Sequence, residues 1–290
     1  MRGLDARLRT RWDAIIESEG RILGLSDCRS FLENKMVNDI FYEGKFKGRD
    51  CIVKCSSKAP DSIANEYALS RRVFAANPSV TPEPLAYYAS DDGRMAFIVT
   101  AKVKGPSLTE LLTSGISDDD AIAYASDILH LAEALKETGI VHRDLFSDNL
   151  LLDADGHIKA IDFQFAIDRN VGRECNWMRK NWKYHYVTFA RIAGQPSASW
   201  NDIVALRRII QRTFPHICCI AEIDGMLSKM ESSGFYRAEV TLFILPSAIA
   251  YIVSLYLQRL FCRNAERKAV IGKRMRIARE LVKLILVEKT

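Results

Sequence analysis

The 290-residue chain lacks the features that mark a metal-stapled, secreted or repetitive protein. Its seven cysteines, Cys28, Cys51, Cys55, Cys175, Cys218, Cys219 and Cys262, form no CxxC pair, and no histidines stand at zinc-ligand spacing. A reduced, intracellular protein with buried thiols is the simplest reading. The N-terminal stretch MRGLDARLRTRWDAII carries Arg and Asp throughout and has no apolar core of signal-peptide length, so secretion is not expected. There is no internal repeat and no low-complexity segment. The balance of 48% hydrophobic and 27% charged residues is that of a globular protein, which excludes dominant disorder.

The chain divides into two stretches of different character. Strand-like runs come first: NDIFYEGKF and RDCIVKCS joined by a KG turn, then LAYYAS and RMAFIVTAKV joined at DDG. Between the pairs, SIANEYALSRRVFAAN has helical periodicity and stops before Pro78. Lys104, Gly105 and Pro106 break the pattern, and the chain beyond them is mainly helical. SLTELLTS is short, whereas SDDDAIAYASDILHLAEALKETG opens on an acidic turn and ends at Gly139. LLLD and HIKAIDF then form a tight hairpin around ADG. The expected organisation is residues 1–104 as an N-terminal segment with a strand-rich lobe, and residues 105–290 as a mainly helical lobe.

The string between that helix and the hairpin carries the chemistry. Asp144 and Asn149 lie five positions apart in VHRDLFSDN, and Asp162 ends the run IKAID. A loop followed by a hairpin brings these three hard oxygen donors toward one Mg²⁺-phosphate site. Taken alone, Lys54 in CIVKC reads as a snorkelling lysine, Glu66 as a solvated helix residue and His142 as a backbone-bonded one. The ordered set Lys54, Glu66, HRDLFSDN and IDF argues otherwise.

Here the chain resembles the protein-kinase-like superfamily: HRDLFSDN matches HRDxxxxN, and IDF matches the start of the DFG motif. The resemblance implies an α+β, bilobal fold with a small β-rich N-lobe and a reduced, mainly helical C-lobe. It also implies ATP and Mg²⁺ as cofactors. Asp144 would accept or orient the acceptor's proton, Asn149 and Asp162 would hold Mg²⁺, and Lys54 with Glu66 would align the α- and β-phosphates.

Departures from the family pattern are as informative as the matches. Asn34, Met36 and Asp39 fall at the three positions of the glycine-rich nucleotide loop, which is effectively absent. Phe146 stands where protein Ser/Thr kinases carry a lysine, and Gln164 replaces the DFG glycine. No Ser or Thr lies between Phe163 and Val187, so Arg143 has only Tyr184 and Tyr186 as candidate phosphate-bearing partners. The segment CNWMRKNWKYHYVTFARIAG comes next, dense in aromatics and cations. It reads as an amphipathic helix or as a site for an anionic or sugar acceptor.

The net charge of +5 is concentrated in the tail, where residues 259–289 carry ten Lys or Arg against three Glu. Before it, residues 240–258 hold no charge over nineteen positions. Pro246 and several polar residues argue against a membrane span, leaving a buried helix or an interfacial segment beside anionic lipid. The tail's cations alternate with an apolar stripe, so nucleic acid is not expected as a partner.

Together these features resemble the bacterial kinases that phosphorylate lipopolysaccharide-core sugars. The expectation is a cytoplasmic phosphotransferase, peripheral on the inner face of the membrane, with ATP and a sugar or glycolipid acceptor. A protein Ser/Thr kinase and a pseudokinase scaffold are the alternatives.

Overall fold

A computed structural model describes residues 6–34, 39–168 and 245–262, with single positions at 202, 206, 209 and 210 and between 264 and 279. A helical segment and one further strand precede the first expected strand. Helix α1 (Ala6–Ile15) passes through a π-turn at Ile16–Gly20 into the short α2 (Arg21–Leu23), and Gly24, at φ 103°, turns the chain into β1 (Leu25–Asn34). β1 escapes a periodicity reading because its register shifts twice against β2 (Asp39–Phe46), between Ser26 and Arg29 and again between Ser30 and Leu32.

β2 and β3 (Arg49–Ser56) form the hairpin expected from the KG turn. Lys47 and Gly48 both take positive φ, which matches the right-handed twist of the flanking strands. Helix α3 (Pro60–Ala76) starts with proline in its first turn, where the missing N–H costs nothing. It leads to β4 (Pro84–Ala89) and β5 (Ala96–Ala101), completing an antiparallel sheet of order β1-β2-β3-β5-β4.

The sheet has two different faces. Ile40, Tyr42, Cys51, Val53 and Cys55 point to one side and pack with Phe97 and Val99 under α1, whose Trp12 is fully buried among them. Tyr42 also donates its hydroxyl to Asp13 at 2.7 Å, pinning the helix to the sheet. The other face presents Phe41, Ile52 and Lys54 to a cleft.

Beyond the sheet the chain turns helical for reasons legible in its caps. Ser107 and Glu110 make a reciprocal capping box at the start of α4 (Leu108–Ser114). Ser117 caps α5 (Asp118–Thr138), three aspartates fill the first turn of that helix, and Gly139 ends it at φ 67°. α5 buries nine residues in the second core, which includes Leu150 and Ile158 from the hairpin β7 (Leu150–Leu152) and β8 (Ile158–Ala160), as well as Leu206, Ile209 and Ile210. Short β6 (Ile140–Val141) and β9 (Ile167–Asp168) pair across the catalytic-loop region. This is the bilobal α+β arrangement expected from the sequence.

Much of the apolar run ending at Gln258 forms α6 (Leu245–Phe261). Leu255 packs against Ile271 and Met275, while Ile249, Val253, Tyr256, Leu257, Leu260 and Phe261 remain exposed. Among the described residues no helix is long and apolar enough to cross a membrane.

Removing the Trp12 side chain should open a large cavity beneath α1. Trp12→Ala is expected to cost about 3–5 kcal/mol in urea unfolding. A loss below about 1 kcal/mol would mean that α1 is not part of the folded core.

Candidate active site

The pleat of β3 aims Lys54 into the cleft, and α3 brings Glu66 to meet it. Lys54 Nζ donates to Glu66 Oε2 at 2.9 Å and to Asp162 Oδ1 at 2.7 Å. All three belong to one charge cluster in which Lys54 and Glu66 are buried and Asp162 is partly exposed. Burial opposes the Lys54 ammonium, but the charges of Asp162, Glu66 and Asp39 outweigh it and raise its pKa. Burial likewise lifts the Glu66 carboxyl above the ordinary carboxylate range, and the lysine offsets this only in part. For Asp162 burial also pushes upward, yet the direct contact with Lys54 prevails and the carboxyl stays below its usual value.

Asp162 lies two residues past the end of β8, outside the strand, and takes a left-handed conformation at φ 66°. Its side chain caps the short turn Phe163–Phe165 by accepting from Gln164 N–H. The positive φ therefore falls on Asp162, and Gln164 needs none of glycine's freedom. Phe163 is buried and its ring tilts against His142 at 4.4 Å.

Below the charge cluster the catalytic loop is built on His142. His142 Nδ1 accepts from Asp144 N–H at 3.3 Å, so Nε2 carries the proton and donates to the Ile161 carbonyl at 3.0 Å. This is the backbone-bonding role expected of it. Burial, only partly offset by the Asp162 charge, pushes its pKa down to about 4. Arg143 follows in a left-handed conformation at φ 71° with its side chain almost wholly buried.

Asp202 holds this strained turn from outside. Its two carboxylate oxygens accept from His142 N–H at 2.6 Å and Arg143 N–H at 2.9 Å. The sequence pattern alone does not single out Asp202. Its signal is an aspartate just before the apolar spacing Leu206, Ile209 and Ile210, which reads more simply as a helix start.

Asn149 Nδ2 donates to the Asp144 carbonyl at 2.8 Å, which orients the amide and leaves its oxygen for a cation. Burial, then the Asp162 charge, raises the Asp144 carboxyl to about 7. That value suits a group that must take up a proton near neutrality. The structure thus brings Lys54, Glu66, Asn149 and Asp162 to the wall of a cleft of about 830 Å³, with Asp144 held against Asn149 beside it. Its apolar walls include Phe41, Ile52, Ile98, Val103 and Leu151. Apolar walls with a few convergent polar groups fit a nucleotide base and its phosphates.

Mg²⁺ fits the same donor set. Among the described residues no group of three His, Cys, Asp or Glu could hold a metal alone. Mg²⁺ needs no such cage, because it keeps waters and takes substrate phosphate oxygens beside one or two protein ligands. The amide oxygen of Asn149 and the carboxylate of Asp162 have the donor chemistry such a site calls for.

Helix α3 is fixed to the segment after Asp162. Asn65 donates to the Ala166 carbonyl at 2.8 Å, and Arg72 pairs with Asp168 and donates to the Thr138 carbonyl. Met36, Tyr184, Tyr186 and the aromatic-basic segment at 175–194 lie outside the described residues.

A family model for the protein kinase domain matches residues 54–203. The serine/threonine-protein kinase shk1/pak1 of Schizosaccharomyces pombe is 41% identical over 78 residues, covering 26% of this chain and 12% of that protein. The serine/threonine-protein kinase CBK1 of Pneumocystis carinii is 30% identical over 140 residues, covering 48% and 27%. Human Rho-associated protein kinase 1 is 31% identical over 98 residues, covering 33% and 7%. The matched stretches thus span between 7% and 27% of these relatives' own length.

These matches overturn the expectation of a lipopolysaccharide-core or other glycolipid sugar as acceptor, since the relatives are protein kinases. Phe146 does not carry that inference. It removes a cation from the site without specifying what enters, and it is 47% exposed.

His142 sets a pH dependence of stability. In the unfolded chain an imidazole takes up its proton near 6.5, whereas buried His142 resists protonation until about 4. As pH falls through that window only the unfolded state gains the proton, and stability is withdrawn, by about 3 kcal/mol once the lower limit is passed. In urea unfolding, the stability of wild type relative to His142→Gln should therefore decline as pH drops from about 6.5 to about 4. Parallel curves would mean that His142 is not held neutral.

Proposed function

Since the chain belongs to the protein kinase domain family, we propose that it transfers the γ-phosphate of ATP to Ser or Thr hydroxyls of proteins. The observation that carries this reading is the ion-paired Lys54, Glu66 and Asp162 cluster beside Asp144 and Asn149. The names of the matched serine/threonine-protein kinases support the acceptor class. A protein kinase domain uses ATP and Mg²⁺, which together supply the transferable phosphoryl group and a divalent charge that offsets its oxygens.

In this reading Lys54, steadied by Glu66, grips the phosphates. Asn149 and Asp162 hold Mg²⁺. Asp144 orients the acceptor hydroxyl and takes its proton, while neutral His142 and Asp202 keep Asp144 in position. All five charged or amide groups serve the reaction, which weighs against a pseudokinase scaffold.

Purified protein with ATP and Mg²⁺ should phosphorylate a degenerate Ser/Thr peptide library, and Asp144→Asn should reduce the rate about 10²–10⁴-fold. ATP turnover with no labelled Ser or Thr would overturn the acceptor assignment. Absence of any Mg²⁺-dependent ATP binding would overturn the enzyme assignment.

We also assign the chain to the cytoplasm, with a peripheral contact at the inner face of the membrane. The exposed stripe from Ile249 to Phe261, next to the basic tail, supports this. The full chain should float with vesicles of anionic lipid and not with neutral ones. Equal behaviour on both would remove the assignment.

A further inference from the structure

Asp39 is the least expected group in the cleft. It opens β2 at a position where the family pattern has a loop glycine, yet it is a carboxylate only 1% exposed. Its register partner across the hairpin is Ser56, whose hydroxyl hydrogen-bonds to the carboxylate. The other oxygen, Oδ1, is buried with no hydrogen-bond partner among the described residues.

The pleat fixes where that carboxylate points. Asp39, Phe41 and Glu43 alternate onto one face of β2, and Phe41 and Glu43 line the cleft. On β3 the matching face carries Ile52, Lys54 and Ser56, of which Ile52 and Lys54 line the cleft. Asp39 therefore continues the cleft wall beyond Phe41, beside Lys54, and its charge is felt by both Lys54 and Asp162.

We propose that Asp39 sets the nucleotide affinity of this protein by acting against the phosphates, as a third carboxylate competing for the single ammonium of Lys54. With Glu66 and Asp162 already bonded to Lys54, the cluster carries one cation against three acids. A triphosphate arriving at Lys54 meets the Asp39 charge, which Lys54, Ser56 and, more weakly, Lys58 offset only in part, in a poorly solvated setting where repulsion is strong. The glycine that the family pattern has there would leave only backbone, which donates to phosphate and repels nothing.

Burial raises the Asp39 carboxyl to about 6, with Lys54 and Ser56 opposing, so it remains charged in mildly alkaline solution. Adenosine, which occupies the same cleft without phosphates, escapes the repulsion. The penalty thus grows with phosphate number, a signature that a change in packing would not produce.

The inference rests on Lys54 meeting the phosphates and is independent of the acceptor. Dissociation constants for adenosine, ADP and ATP, the last two with Mg²⁺, are to be measured for wild type and Asp39→Asn at about pH 8. Asn keeps the shape and a hydrogen bond to Ser56 while removing the charge. ATP should bind about tenfold more tightly to the variant, ADP by a smaller factor, and adenosine equally. Unchanged or weaker ATP binding would overturn the proposal, as would an equal gain for adenosine. Should Asp39→Asn not fold, Asp39→Ser is scored by the same criteria. Wild-type protein that binds no ATP would instead refute the kinase reading itself.

Discussion

The site depends on one buried ammonium. Lys54 comes from β3, Glu66 from α3 and Asp162 from the loop beyond β8, and the three meet through charge at a point between the two main apolar cores. Withdrawing three charges from water is unfavourable unless each finds a partner, so the arrangement is specific before it is stabilising. Losing Lys54 would leave Glu66 and Asp162 with no cation between them. The two lobes are therefore referred to each other by electrostatics at the place where a nucleotide must lie.

The loop beneath the cluster is held in a conformation the backbone does not favour. Arg143 and Asp162 are both left-handed without being glycine, a departure that costs on the order of 1–3 kcal/mol each. The restraints are local and polar. Asp202 captures two consecutive N–H groups, and neutral His142 links Asp144 N–H to the Ile161 carbonyl. Strain sits where the side chains must converge, and hydrogen bonds hold it there.

Much of this was legible in the residues. β2, β3, α3, α4 and α5 follow from alternation, helical spacing, a KG turn and an acidic first turn, because in these elements local propensity and tertiary packing agree. β1 was not legible, since two register shifts destroy its period. Nor was α1, whose attachment rests largely on one tryptophan that only the fold shows to be buried. In the site, Lys54, Glu66, Asp144, Asn149 and Asp162 could be picked out as an ordered set. Asp202 could not, because an aspartate before an apolar helix looks like a cap. Asp39 looked like a missing glycine, and its burial is a property of the hairpin register. The acceptor was misread from Phe146, the aromatic-basic segment and the basic tail taken together, because side chains that could suit a sugar do not define what is bound.

Helix α3 is tethered along its length by contacts of different kinds. Asn65 reaches Ala166, while Arg72 reaches Asp168 and Thr138, and neither depends on the charge of Lys54. The helix that presents Glu66 is thus already immobilised when a nucleotide arrives. Its ordering entropy is met during folding, so the free energy of nucleotide contacts is left undiminished by that term.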